Sequence, residues 1–291
     1  MTDLTMTQDV SAPAARPRRP RTRWGVHIGL SLICFILIVP ALLALQMATL
    51  PVEESIAPFR IGNIGTDFAD NLNTLFTRLN FGQLLLNTLL VTGVTVIGKL
   101  MLALMAGMVV VYYQFRGRAV VFFFILITLL IPTEVILLPL FNIMSELKWG
   151  ELHPPLALTV PFLATATGVF LFRQHFRNIP RELAEAAQID GASPARFMWD
   201  VLIPLSWNVM VAFTLIMFIS SWNQYLWPVL VIPTAEDQVI QVGVRRTLEF
   251  GLSTDFGVIM TAGLVASLPS VILFILLQKQ FMSGFALTAD K

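Results

Sequence analysis

The chain is 291 residues long, 56% hydrophobic and only 13% charged, with a formal net charge of +1 and a mean hydropathy of +0.76. A water-soluble domain carries roughly a quarter of its residues charged, so this composition excludes an ordinary soluble fold. The net charge says nothing about nucleic acid, but no stretch combines basic and aromatic residues into a groove that would bind it. The lone cysteine, Cys34, excludes an intrachain disulfide.

Residues 1–24 are rich in Ala, Pro, Thr and Arg and have no apolar period, which predicts a disordered basic tail with its arginines near anionic headgroups. Gly25 to Ala48 then form 24 mostly apolar residues, a helix of about 36 Å that reaches across a bilayer core. This run is too long for a signal h-region, so it is expected to be a retained span. Five more apolar stretches follow, at Leu84–Tyr113, Ala119–Met144, Pro155–Phe176, Leu205–Val231 and Val258–Phe281. In lipid the backbone must satisfy its own hydrogen bonds, so these are helices. The expected fold is an all-α polytopic membrane protein with six spans over 25–283 and a short tail from 284 to 291. With the N-terminus inside, thirteen Lys and Arg fall on the inner side and five on the outer side. That asymmetry predicts both termini in the cytoplasm of a bacterial inner membrane.

Along the second span, Gly93 to Lys99 spell G-x-x-x-x-G-K, but Leu100 stands where a phosphate loop needs Ser or Thr for magnesium, and no strand precedes it. Nucleotide binding is not expected there. Lys99 falls near the middle of this span, where a charge costs roughly 2.5–3.5 kcal/mol or more unless it meets a partner or a cavity. Glu134 lies similarly within the third span, after Pro132. The two pair with each other or with a sister chain, or Lys99 meets an anionic solute. Asn87, Asn223 and Gln224 offer amides suited to hydroxyls. Trp222 and Trp227 are placed either to stack on a solute skeleton or to sit in an interfacial aromatic belt. His27, His153 and His175 are scattered, which suggests no metal site.

The longest inner loop, 178–204, reads as helix–turn–helix. Leu183, Ala186, Ala187 and Asp190 fall at i, i+3, i+4 and i+7, one narrow face with small residues at its centre. Gly191 suits the left-handed residue that closes a helix, and Ser193-Pro194 is an N-cap and first-turn pair for a second helix. Phe197 and Val201 are expected on one face of that second helix. A short projecting helix with an alanine face is shaped to enter another protein's groove, whereas a membrane-surface helix would carry a Trp-, Phe- or Leu-rich face.

At these residues the chain resembles a known family. Glu185-Ala186-Ala187, three residues, Gly191, nine residues and Val201-x-Ile203-Pro204 are similar to the EAA loop of binding-protein-dependent ABC importer permeases. That family usually has Ile and Leu where Val201 and Ile203 stand. The resemblance covers most of the chain from Gly25 onward and is to the maltose-permease (MalG-like) branch. Thr165-Ala166-Thr167, Phe170 to Gln174, Asp190 to Pro194 and Trp222 to Pro228 are together similar to the permeases of sn-glycerol-3-phosphate importers of the UgpE type. The resemblance implies half of a translocation pathway, paired with a homologous second permease and served by an extracytoplasmic solute-binding protein. It implies an ATPase dimer that binds ATP and magnesium, with no cofactor in this chain. Glu185, Ala186, Ala187, Asp190 and Gly191 become the coupling residues, and the substrate sn-glycerol-3-phosphate, a related glycerophosphodiester, or a sugar or oligosaccharide. Rivals outside the family are a secondary transporter, which ordinarily shows twice the spans, and a membrane scaffold.

Overall fold

A computed structural model of the chain describes residues 24–56, 62–248 and 255–286. The tail expected over 1–24 lies outside these residues except for Trp24, which opens the first helix. The tail expected from 284 is helical through Ala286 and lies outside them beyond that point. Among the described residues every regular element is helical.

The chain divides into two compact units at Leu42. Helix α1 (Trp24–Met47), which begins in the first and ends in the second, is apolar all round and buries none of its side chains. This is the composition of a helix solvated by lipid tails.

In the second unit, α2 (Phe68–Arg78) leads through Asn80 into α3 (Phe81–Tyr112), the longest helix at 32 residues. Helices α4 (Arg118–Thr128) and α5 (Thr133–Glu146) meet at a bend of 95°. Pro132 accounts for the break, because it has no N–H to donate and drives Ile131 away from helical geometry. Helix α6 (Pro154–Thr159) runs through a 3₁₀ turn to Phe162 and meets α7 (Ala166–Phe176) at 45°. The inner loop carries α8 (Arg181–Ile189) and α9 (Pro194–Phe197). The limb Pro194–Leu205 then meets α10 (Trp207–Trp222) at 83°. Helices α11 (Leu226–Val231), α12 (Ile240–Arg246) and α13 (Phe256–Ala286) complete the chain. Three helices, α1, α3 and α13, are long and apolar enough to cross a membrane, and the three bent pairs bring the number to six when each is one span. That range reaches the expected six, but its third pair joins the inner-loop limb Pro194–Leu205 to α10, and the expected span Leu205–Val231 is interrupted at 223–225.

Small residues set the closest helix contact. A Cβ on Gly107 of α3 would lie 2.9 Å from the Phe172 Cβ, and one on Gly168 of α7 would lie 2.9 Å from the Phe213 ring. Only glycine lets these backbones approach so far, the usual device of helix pairs in lipid. Gly98, the second glycine of the phosphate-loop look-alike, is likewise filled against Leu163 of the neighbouring segment. Residues 93–100 are continuous helix.

The buried side chains gather in three places. Toward the end where α3 begins, Phe81, Leu84, Trp222 and Ile240 form one cluster. Leu158, Trp227, Val231 and Val239 form a second. At the opposite end of α3, Leu104, Met108, Phe172, Phe176, Met198, Leu202 and Phe213 form the third, directly beneath the inner loop.

Candidate functional site

The inner loop folds as a closed hairpin. Pro180 stands at the position just before α8. At the other end Gly191 takes φ +69°. Its N–H donates to the Gln188 carbonyl at 3.0 Å, and the Ala192 N–H reaches the Ala187 carbonyl at 2.9 Å. These are the two bonds of a Schellman closure. Ser193 then accepts from the Arg196 N–H at 3.3 Å and caps α9, while Arg196 pairs with Asp200 at 3.1 Å on the exposed surface.

The two sides of α8 differ. Ala184 is its one buried residue. Leu183, Glu185, Ala186 and Asp190 are exposed, Ala187 is partly so, and Ile189 at the tip is 86% exposed. The small-residue face is thus presented outward, available to a groove. The second limb does the anchoring. Over Met198–Leu202 the chain runs as a π-helix, and Met198 and Leu202 are fully buried in the third cluster. Phe197 packs alongside and Val201 stays half-buried. The sequence pairs Phe197 with Val201 as readily as Met198 with Leu202, because both are four residues apart and periodicity alone does not say which face meets the spans.

The polar residues of the spans separate into two groups. Asn87 is committed to structure: its amide donates to the carbonyls of Glu236 at 2.7 Å and Gln238 at 3.1 Å, and its oxygen accepts from Gln83 at 2.9 Å. Next to it the Thr88 hydroxyl accepts from the Ile240 N–H at 2.7 Å. Together they strap the 236–240 segment onto the start of α3, so the Asn87 amide is not free for solute hydroxyls. Trp222 and Trp227 are also structural, each 1% exposed. The Trp222 indole donates to the Ala266 carbonyl at 2.8 Å and stacks on Phe218, while Trp227 donates to the Ala157 carbonyl at 3.0 Å and meets Phe162 edge-on. Neither ring faces a solute path or a lipid belt. A buried indole needs a partner for its N–H, and here each finds one on a neighbouring helix.

Between those two indoles the helix stops. Asn223 and Gln224 lie in the non-helical gap between α10 and α11. Asn223 is exposed and exchanges hydrogen bonds with the Ile219 carbonyl at 2.9 Å and the Gln241 amide at 3.2 Å. The side chain of Gln224 is half-buried. Lys99 is half-buried at the middle of α3. It shares a face with Thr88, Thr92 and Thr95, all at most 3% exposed, because spacings of four, three and four residues stay on one side of a helix. Lys99 therefore lies on the protein-facing side of α3. Glu134 is exposed in the first turn of α5, and no ion pair within 4.0 Å joins it to Lys99. The Thr92 and Thr95 hydroxyls are buried with no hydrogen-bond partner among the described residues. This polar stripe was readable only once Lys99 was placed on the inner face.

Residues 99–285 match the family described as binding-protein-dependent transport system inner membrane component. The chain is 33% identical over 279 residues to the sn-glycerol-3-phosphate transport system permease protein UgpE of Rhizobium meliloti, covering 93% of this chain and 98% of that protein. It is 39% identical over 207 residues to the UgpE protein of Brucella melitensis, 71% of this chain and 73% of the other. With UgpE of Escherichia coli O1:K1 it shares 33% over 265 residues, 89% and 94% of the two chains. Among solved structures, a chain of a bacterial ABC transporter involved in the import of the acidic polysaccharide alginate aligns with a TM-score of 0.78 at 23% identity, covering 91% of this chain and 99% of that one. A second alginate transporter structure, in complex with an alginate pentasaccharide-bound periplasmic protein, gives 0.62 at 19% identity, covering 87% and 92%. The hairpin, the glycine-packed spans and this agreement along nearly the whole length converge: the chain belongs to the binding-protein-dependent inner membrane components, the permease subunits of ABC importers.

Proposed function

We propose that this permease forms half of the translocation pathway for sn-glycerol-3-phosphate or a related glycerophosphodiester, and that its 178–204 hairpin is the lever on which a separate ATPase acts. The observation that carries the reading is the division of labour in the hairpin. Its Leu183–Ala186–Asp190 face is open, while Met198 and Leu202 root it among α3, α7 and α10. A groove on an ATPase subunit would receive the open face, with Glu185 and Asp190 at the rim, and its displacement would be passed on by the buried root. ATP and magnesium then belong to the ATPase dimer, and a homologous second permease completes the pathway. The outer segment that begins at Pro233 and runs to Phe256, strapped to α3 at 236–240, is the surface for an extracytoplasmic binding protein. Both termini lie in the cytoplasm, on the side of the hairpin.

The substrate follows from two supports. The relatives at 33–39% identity are named for sn-glycerol-3-phosphate, and Lys99 puts a cation on the inner face of α3, where an anionic solute offsets its cost. Asn223 and Gln224, at a break in a span, have the backbone setting in which transporters place their binding groups.

The test is the complex with its sister permease, ATPase and binding protein in proteoliposomes. Labelled sn-glycerol-3-phosphate should be taken up and should stimulate ATP hydrolysis, and Ala186→Trp should abolish both while the protein still inserts. Stimulation by an oligosaccharide but not by the phosphate ester would move the substrate to the sugar class, and undiminished uptake by Ala186→Trp would remove the lever. A single cysteine at Ile189 in a Cys34→Ser background should be labelled only from the cytoplasmic face.

A further inference from the structure

Behind the hairpin lies a cavity of about 740 Å³ that the pathway does not use and that shares only Glu185 with the lever. Four arginines line it: Arg118 at the start of α4, Arg173 near the end of α7, Arg177 just beyond, and Arg181 at the start of α8. Glu185 is the one acidic residue in the lining, which leaves a net charge of +3. Among the described residues none of the four arginines has a carboxylate within 4.0 Å. Arg173 instead lies 3.9 Å above the Phe122 ring, and Arg118 leans on the carbonyls of Val111 and Tyr113 at 3.4 Å. Such a concentration of unneutralised guanidinium groups repels itself unless an anion sits among them, and arginine's planar fork matches phosphate oxygens. The volume lies in the usual range for small-ligand sites, roughly 300–1,000 Å³.

Two further observations identify the anion's carrier. The lining residues of α8, namely Arg181, Ala184, Glu185 and Gln188, are on the side opposite Leu183, Ala186, Ala187 and Asp190, since positions three, four and seven apart share a face. An ATPase seated on the open face therefore leaves the cavity unfilled. Directly beyond Arg118, α4 carries an uncovered apolar surface, with Val120, Phe123 and Phe124 each 56–63% exposed. A soluble anion has no use for that surface, whereas the acyl chains of a lipid lie along it while the headgroup enters the cavity. Basic pockets between spans at the cytoplasmic boundary are the setting in which anionic headgroups are held.

We propose that the cavity formed by Arg118, Arg173, Arg177 and Arg181 binds the phosphodiester headgroup of an anionic phospholipid, wedged between the hairpin and the ends of α3 and α7. The site does not depend on which solute the transporter carries. The test uses the assembled transporter, equilibrated with mixed phosphatidylcholine and phosphatidylglycerol vesicles and then examined by native mass spectrometry for retained lipid. The wild-type complex should keep phosphatidylglycerol in preference to phosphatidylcholine. The double variant Arg118→Gln/Arg177→Gln should bind it roughly 30-fold more weakly. Arg78→Gln, near the opposite end of α3, should leave retention unchanged. Equal retention of the two lipids by the wild type overturns the proposal whether or not the variant assembles. So does unchanged phosphatidylglycerol binding in the double variant, and so does displacement of the lipid by inorganic phosphate at matching concentration, which would make this a soluble-anion site.

Discussion

Gly191 offers the sharpest separation between a backbone requirement and a contact requirement. Its φ of +69° lies in the left-handed region, and a Cβ built there meets nothing within 4 Å. Within this chain a side chain at 191 therefore costs only backbone strain, about 1–2 kcal/mol for an ordinary residue, with β-branched residues at the upper end. At about 1.4 kcal/mol per tenfold, the ratio of closed to open turn should fall roughly fivefold for Gly191→Ala and about 30-fold for Gly191→Val. Gly191→Asn should be mildest, because asparagine is tolerated in this conformation. The helices packed in the three clusters do not depend on the turn, so all three variants should insert and assemble. The assay is uptake per ATP hydrolysed in proteoliposomes. Alongside it, a spin-label distance between positions 182 and 195 in a Cys34→Ser background reports whether the hairpin has opened. Coupling should fall in the order Asn, Ala, Val, and the hairpin should open in that order. If Asn is instead worse than Ala, side-chain volume governs and the glycine is needed for contact with the ATPase. A Val variant that couples normally would refute the lever itself.

Other substitutions test the surrounding framework. Trp222→Phe and Trp227→Phe each leave a buried carbonyl, Ala266 or Ala157, without its indole donor; each should destabilise by about 1–3 kcal/mol, read as a lower Tm of the purified complex with the order of substrate preference unchanged. Gly107→Leu drives a side chain into Phe172 and should cost about 1–3 kcal/mol or more, seen as poor recovery of assembled complex, whereas Gly93→Ala, with open space around it, should be recovered normally. Asn87→Ala removes two hydrogen bonds to the strap and should raise protease cleavage within 233–248 and reduce stimulation by the loaded binding protein, with basal ATPase activity intact. Lys99→Met should lower uptake of the phosphate ester by roughly tenfold, equal to about 1.4 kcal/mol; normal uptake removes Lys99 from the pathway.

Much of this architecture is written in local chemistry. The turn at Gly191 and the cap at Ser193 follow from a glycine and a Ser-Pro pair in the only frame that closes one helix and opens another, and both are found. The span count follows from apolar run length, since lipid leaves the backbone no alternative to helix. What escapes the sequence depends on the third dimension. Hydropathy gives a run's length and not its direction, so the 95° and 83° bends were invisible, although Pro132 marks the first. Trp222 and Trp227 were misplaced for a related reason. Trp227 lies 20 residues from Trp207, the spacing of two interfacial belts, and both indoles could equally stack on a solute; the carbonyls of Ala266 and Ala157, 44 and 70 residues distant in sequence, place them in the core instead. Asn87 is the same case, for its partners lie about 150 residues away.

The distribution of rigid and broken segments determines where a push on the hairpin is felt. Gly107 and Gly168 bring α3 and α7 so close that the two helices are bound to move together, and Met198 and Leu202 plug the hairpin into that same pair. Helix α10 is differently held. It leaves the hairpin through an 83° bend at Ser206, a buried residue whose hydroxyl has no partner among the described residues, and it is interrupted again after Trp222. Each side of that second break is fixed to a different neighbour, Trp222 to α13 and Trp227 to α6. Packed interiors deform little, so displacement collects where packing is interrupted. On the proposed lever, movement of the α3–α7 body against α13 would be absorbed at the non-helical residues 223–225, where Asn223 is held to Ile219 and Gln241, and Lys99 would travel with α3 while Asn223 and Gln224 stay with the joint. The polar groups of the proposed pathway would consequently be divided between the part that moves and the part that bends, an arrangement in which one push changes the affinity for a solute held between them.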